Sequence, residues 1–115
     1  MPRIAVVLFA LAAMGAAPPS RIDVSGAYTS NWGRVTLTQH GANVVGDYVY
    51  QHGHLEGTLD GNMLRYSWTE SDGRGRGVFV VASDGELIGT WGVGDDDTRG
   101  GGWRLVPANA RIARE

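Results

Sequence analysis

Short segments in which polar and apolar residues alternate recur along most of the chain. In Arg34–Thr38, for example, Val35 and Leu37 point to one face and the polar residues to the other. This period of two predicts a half-buried β-strand. We expect about eight such strands, at Gly26–Ser30, Arg34–Thr38, Val44–Tyr50, His54–Leu59, Met63–Glu70, Gly77–Ala82, Leu87–Trp91 and Trp103–Val106.

Turn-forming residues separate the predicted strands at intervals of about ten residues. Asp72-Gly73 and Asp84-Gly85 suit tight hairpins, because both central residues of a type I′ turn need positive φ. Glycines interrupt the stretches between the turns, so we expect almost no helix. The other predicted turns are His40–Asn43, Gln51–Gly53, Asp60–Asn62 and Asp95–Gly102.

A sheet of about eight hairpin-linked strands hides its apolar face either by closing into a barrel or by folding over into a sandwich. We predict an all-β fold in which an antiparallel up-and-down meander closes into a small barrel, with a β-sandwich as the alternative. An eight-stranded barrel is just wide enough to be filled by its side chains or to hold one small ligand.

The N-terminal residues have the organisation of a secretory signal peptide. Arg3 supplies a positive charge, Ile4–Met14 is an apolar run, and the small residues Gly15–Ala17 follow. The run is shorter than the roughly 20 apolar residues of a membrane span. We therefore expect an exported, periplasmic or secreted protein without a membrane span in its mature form. The alternative is that the segment is an uncleaved N-terminal membrane anchor or a buried helix. The predicted division is a signal peptide at 1–17, a linker at 18–24, a barrel domain at 25–107 and a tail at 108–115.

Composition narrows the classes of function. The chain contains no cysteine, which excludes disulfides, thiol nucleophiles, Cys-ligated metals and a lipoprotein anchor. Ten basic residues, all arginine, nearly balance twelve acidic ones. The formal net charge of -2 provides no basic footprint for nucleic acid, so we expect no nucleic-acid partner.

A Gly-x-aromatic step recurs along the chain. It occurs at Gly26–Tyr28, Gly46–Tyr48 and Gly89–Trp91, with Tyr66–Trp68 in the equivalent place. The first three sites in chain order lie about 20 residues apart, which is the length of one hairpin. A glycine two residues from an aromatic lies on the same sheet face, where its missing side chain lets a strand bend or a large ring lie across it.

These steps, the predicted meander and the secretory signal together resemble the calycin-type barrels, the avidin-like and lipocalin-like proteins. The resemblance implies a small secreted barrel with an aromatic ligand pocket. The chain is shorter than a typical lipocalin and lacks the disulfides common in that family. The polar residues that bind biotin in avidin-like proteins have no aligned counterparts, so the resemblance does not imply biotin.

The aromatic residues are the main candidates for binding. Rings that face inward can line a pocket for a flat apolar molecule or stack on a sugar, with Tyr hydroxyls and indole N–H groups giving direction. The alternative is that they simply fill the core. We expect Trp32 and Trp103, which lie beside glycine-rich turns, at the rim. The predicted ligand-binding residues are Trp32, Tyr48, Tyr66, Trp68, Trp91 and Trp103.

Three polar groups have some features of a binding site, and we interpret each of them as an ordinary surface feature. His52 and His54 have the i, i+2 spacing of two metal ligands on a strand, but they lie at a predicted turn. Asp95–Thr98 is an acidic loop without EF-hand spacing. Arg74 and Arg76 suit an anion but also suit ion pairs with Glu70 or Asp72 across strands. We expect no bound metal and no cofactor.

No catalytic constellation is recognisable in the sequence. The chain lacks a nucleophile elbow, a phosphate loop and a histidine beside a positioned acid and serine. We therefore expect a noncatalytic exported barrel that binds a small hydrophobic or aromatic ligand, or a glycan, through its Trp and Tyr residues. The alternatives are a protein-interaction or inhibitor module that acts through loops such as Asp95–Gly102, and a structural envelope protein.

Overall fold

A closed eight-stranded barrel forms the part of the chain that the computed structural model describes, residues 22–108. Each strand pairs antiparallel with the next in the chain, and the last pairs with the first. The predicted all-β meander barrel is confirmed, and the sandwich alternative is wrong. The strands are β1 (Gly26–Ser30), β2 (Val35–His40), β3 (Asn43–Tyr48), β4 (Gly53–Asp60), β5 (Met63–Glu70), β6 (Gly73–Val81), β7 (Leu87–Val93) and β8 (Gly101–Pro107).

Residues 1–21 and 109–115 lie outside the described part, and with them the predicted signal peptide, most of the predicted linker and nearly all of the tail. Within residues 22–108, no helix is long and apolar enough to cross a membrane.

The barrel interior is built from the apolar faces of the alternating strands. On β2, Val35 and Leu37 are buried while Thr36 and Thr38 are exposed, as the alternation predicts. The middle of the barrel is filled with large side chains that are almost completely inaccessible to water. The largest of these side chains are Phe79, Leu37, Leu55, Leu64, Leu87 and Leu105.

Two strands begin two or more residues earlier than the sequence pattern predicts. β6 begins at Gly73 rather than Gly77, and β8 begins at Gly101 rather than Trp103. Their first residues are glycines, which resemble turn residues in a sequence but here form ladder pairs. Gly75 pairs with Trp68 across the β5–β6 ladder, for example. Gly75, unlike Gly73, also makes room for a large neighbour, because a Cβ atom there would lie 2.5 Å from the Trp68 ring.

One strand ends two residues earlier than predicted. β3 ends at Tyr48 rather than Tyr50, and a single 3-10 turn, Tyr50–His52, leads into β4. Gln51 and His52 adopt positive φ there, at 51° and 55°. Tyr50 therefore lies in this turn and not in β3.

Residues 22–25 pack against one end of the barrel. Val24 is buried, and its carbonyl accepts a 2.7 Å hydrogen bond from the Tyr28 hydroxyl. The Gln39 side chain accepts from the Val24 N–H and donates to the Ile22 carbonyl. We call the opposite end the pocket end; it carries the β1–β2, β3–β4, β5–β6 and β7–β8 connections.

Candidate functional site

A pocket opens at the pocket end of the barrel and is enclosed mainly by aromatic rings. Its volume is about 100 Å³. An apolar cavity of roughly 150 Å³ holds a benzene molecule, so this pocket accepts a compact group and leaves the rest of a larger ligand outside. The lining residues are Trp32, Tyr48, Tyr50, Trp68, Glu70, Trp91 and Trp103.

The aromatic residues form two clusters of touching rings. In the mouth cluster, Trp32 contacts both Tyr50 and Trp91, with ring centroids 4.8 and 5.7 Å apart, and Trp91 contacts Trp68 at 6.0 Å. In the deep cluster, Trp103 contacts three rings at 5.0, 5.8 and 5.4 Å. These three rings are Tyr48, Tyr66 and Phe79. Residues of both clusters line the pocket, which places it between them.

Glycines on neighbouring strands let these rings lie flat against the barrel wall. A Cβ atom on Gly53 would overlap the Tyr48 ring, with which it is paired across β3 and β4. A Cβ on Gly75 would lie only 2.5 Å from the Trp68 ring and would overlap the Gly92 carbonyl oxygen. Large rings and glycines are thus matched across the ladders, an arrangement that pins strand register.

This pairing corrects one interpretation of the Gly-x-aromatic step. Within a strand, the glycine of the step does not support its own aromatic: a Cβ on Gly46 would meet Leu37, Thr36 and Leu55, and a Cβ on Gly26 would meet nothing within 4 Å. The glycines that support rings lie on the adjacent strand, as Gly53 does for Tyr48.

Two indoles of the pocket are held by hydrogen bonds. Trp68 Nε1 donates to the Gly92 carbonyl at 3.0 Å, and Trp103 Nε1 donates to Ser30 Oγ at 3.1 Å. Trp103 is 4% exposed and Trp68 is 7% exposed, so both rings are part of the wall as well as of the pocket. The expectation that Trp103 lies at the rim is wrong, because the ring points inward from β8 onto the deep cluster.

The other two indoles lack a partner. Trp32 Nε1 and Trp91 Nε1 are buried, and no residue among 22–108 accepts a hydrogen bond from either. A buried donor without an acceptor costs about 1–3 kcal/mol. Groups of this kind call for an explanation such as a functional role. Both belong to the mouth cluster.

Glu70 is the charged residue of the pocket wall. It is half-buried at the end of β5, and its Oε2 accepts a 2.7 Å hydrogen bond from the Tyr48 hydroxyl. Burial, and then this hydrogen bond, raise the pKa of Tyr48 far above its usual value. The Tyr48 hydroxyl therefore keeps its proton and holds the carboxylate in a fixed orientation.

The structure brings together five of the six predicted binding residues. Tyr66 is the exception, because it lies deeper, stacks on Phe79 at 4.8 Å and donates its hydroxyl to the Thr90 carbonyl. Burial raises the pKa of Tyr66 far above its usual value. The sequence reasoning missed Tyr50 and Glu70 as lining residues. Glu70 follows Trp68 at i+2 on β5, so the strand alternation already placed it on the ring-bearing face.

The β7–β8 connection folds back onto the pocket wall. The Asp96 carboxylate accepts hydrogen bonds from the N–H groups of Thr98 and Arg99. The Thr90 hydroxyl donates to the Asp97 carbonyl, and a Cβ on Gly100 would overlap the Trp91 ring. This loop therefore covers one side of Trp91.

The polar groups that the sequence singled out lie on the outer surface. His54 lies between two carboxylates, with its Nδ1 3.0 Å from Asp47 and its Nε2 3.2 Å from Glu56. Arg76 faces Asp95 at 3.8 Å rather than Glu70 or Asp72. Within residues 22–108, no cluster of three or more His, Cys, Asp or Glu residues is arranged to hold a metal ion.

Comparison of the chain with protein-family models, curated proteins and solved structures finds no match. The resemblance to calycin-type barrels therefore stays a prediction.

Proposed function

We propose that this chain is an exported, noncatalytic barrel that binds a small ligand in the pocket between the mouth and deep clusters. The aromatic lining of the pocket indicates the ligand class, which is a compact apolar or aromatic group or a sugar ring. Export rests on the signal-like organisation of residues 1–17, and the absence of catalysis on the lack of a catalytic motif in the sequence.

One observation carries the proposal. All four tryptophans of the chain, at positions 32, 68, 91 and 103, line the same pocket. Filling a core needs only that rings be covered, whereas here the mouth cluster stays half-exposed at Trp32 and Trp91. Two indole N–H groups without an acceptor lie in the same cluster. Concave, mostly apolar sites with a few polar groups are typical of small-molecule binding.

The small pocket volume sets the expected affinity. A group of about ten non-hydrogen atoms that gains roughly 0.4–0.5 kcal/mol per atom reaches 4–5 kcal/mol, which corresponds to a Kd on the order of 0.1–1 mM. Ligands must therefore be titrated to several millimolar, and screening at micromolar concentration would miss them.

Intrinsic tryptophan fluorescence tests the proposal directly, because every indole reports on the pocket. We expect at least one compact ligand from a panel of indoles, phenols, alkylammonium salts and methyl glycosides to shift the emission in a saturable way. Trp32→Leu should weaken binding at least tenfold, whereas Ile88→Ala, on the exposed outer wall, should leave it unchanged. No saturable change across the panel would refute the proposal.

The alternative of a protein-interaction module makes a different prediction. A partner captured from culture supernatant or envelope extract would be lost on replacing Asp95–Asp97, and Trp32→Leu would have no effect on its capture. The fold of the loop does not favour this alternative, since Asp96 and Gly100 serve to pack the loop against Trp91.

A further inference from the structure

We propose that the ligand is an organic cation, an alkylated ammonium whose charged head occupies the mouth cluster beside Glu70. This inference rests on the proposed function and narrows it to one chemical class. Three features of the pocket lead to it: its charge, the orientation of its rings and its size.

The charge of the pocket wall is negative. Of the seven lining residues, six are aromatic and the remaining one is Glu70. Arginine and histidine do not occur among them. The Tyr48 hydroxyl bonds one oxygen of the carboxylate, Oε2, and no residue among 22–108 bonds Oε1. A positive ligand thus meets a carboxylate oxygen free to pair with it, with no cation of the wall to compete.

The orientation of the rings favours a compact head over a flat one. Trp91 stands nearly perpendicular to two neighbours, at 85° to Trp32 and 84° to Trp68. A flat ring can lie broadside on only one indole face at a time, and it meets a perpendicular indole edge-to-face. Walls at right angles instead surround a rounded occupant from several sides.

The mouth cluster is suited to attract positive charge in particular. The face of an aromatic ring is the negative part of its quadrupole, and indole gives the strongest cation–π interaction. Aromatic cages recognise quaternary ammonium groups on this principle. An alkylated ammonium also carries its charge beneath a layer of methyl and methylene groups, which suits an apolar pocket of about 100 Å³.

A pair of matched ligands tests the inference on the unmodified protein. Choline and 3,3-dimethylbutan-1-ol have nearly the same shape and differ in the charge at the branched centre. We expect choline to quench or shift the tryptophan emission in a saturable way at constant ionic strength. The neutral alcohol should bind at least tenfold more weakly, a ratio that corresponds to about 1.4 kcal/mol.

A second arm tests the carboxylate. Glu70→Gln should weaken choline binding severalfold and affect the binding of the neutral alcohol much less, since the amide oxygen still accepts from Tyr48. Asp60→Asn is the matched control: it removes the same charge from an exposed position at the far end of β4 and should change neither affinity. Circular dichroism spectra and thermal midpoints establish that the variants fold.

The outcomes separate the two proposals. Equal binding of choline and the alcohol, or binding of an indole or glycoside alone, overturns the cation inference while the proposed ligand-binding function stands. An unchanged choline affinity in Glu70→Gln overturns the role of the carboxylate. If no ligand of the whole panel binds, both proposals are wrong.

Discussion

Replacing Gly75 with alanine tests whether the pocket wall depends on glycines that face large rings. Gly75 lies on β6, opposite Trp68. The added methyl group would overlap the Gly92 carbonyl oxygen and approach the Trp68 ring to 2.5 Å. Carbon atoms in contact prefer a separation of about 3.5–4.0 Å, so the ring must move by roughly 1 Å. That movement also disturbs the hydrogen bond from Trp68 to Gly92.

The size of the effect follows from three contributions. Overpacking in a tight site costs about 1–3 kcal/mol. Loss of the acceptor for the buried Trp68 N–H costs about 1–3 kcal/mol more. Alanine lowers the conformational entropy of the unfolded chain, which stabilises the folded state by about 0.4–1 kcal/mol and offsets part of these costs. We therefore expect Gly75→Ala to lower the free energy of unfolding by about 3 kcal/mol, which lowers Tm by about 12–24 °C in a domain of this size.

Gly73→Ala is the matched control on the same strand. Its methyl group would come no closer than 4.0 Å to Trp68, and the position is exposed, so we expect it to be neutral or slightly stabilising. Urea unfolding followed by far-ultraviolet circular dichroism gives both free energies. Two variants within about 0.5 kcal/mol of each other would refute the steric reasoning.

Two further predictions concern pH. Burial, and then Asp23, raise the pKa of Tyr28 to about 12. The folded state thus retains a proton that the unfolded chain loses near pH 10. The stabilisation from this group is fully present below about pH 10 and is lost as pH rises towards 12. A denaturant midpoint that stays constant from pH 8 to 11.5 would contradict this. The hydrogen bond to Asp47 is the largest cause of the raised pKa of His54. The stabilisation it gives is full below about pH 6.5 and is lost as pH rises through the raised pKa. Asp47→Asn should lower the His54 pKa more than Glu56→Gln does in an NMR titration of the imidazole, and the reverse order would show that the assignment is wrong.

The strand pattern of the sequence was sufficient for the topology. Alternation at segments such as Arg34–Thr38 and regular turn residues predicted eight strands, and sequential hairpins of that number close most simply as a barrel. The predicted strand boundaries were wrong where a glycine could belong either to a turn or to a strand. Gly75 and Gly101 have the same local sequence appearance as turn glycines, and only the ring on the neighbouring strand shows that they belong to a ladder.

The sequence predicted most of the residues that line the site, but not how far each of them lies from the open end of the barrel. Sequence alone identified the tryptophans, but alternation tells which face a residue is on and not how far along the barrel it lies. Trp103 was therefore placed at the rim and Tyr66 in the pocket, although both rings lie in the deep cluster. Tyr50 lies in the β3–β4 turn rather than on the predicted strand Val44–Tyr50, so the strand pattern does not show that its ring contacts Trp32.

The seam between β1 and β8 has a consequence for the order of folding. It is the pairing that joins the two ends of the meander, and its register covers three residue pairs. Every other ladder forms from neighbouring hairpins, whereas this one must wait for the whole chain to curl. Side chains beside the pocket span it: Trp103 donates to Ser30, and Asn31 donates to the Gly102 carbonyl. If a ligand binds as proposed, it contacts Trp32, which follows β1, and Trp103 on β8, and such binding would stabilise the closed barrel by linkage.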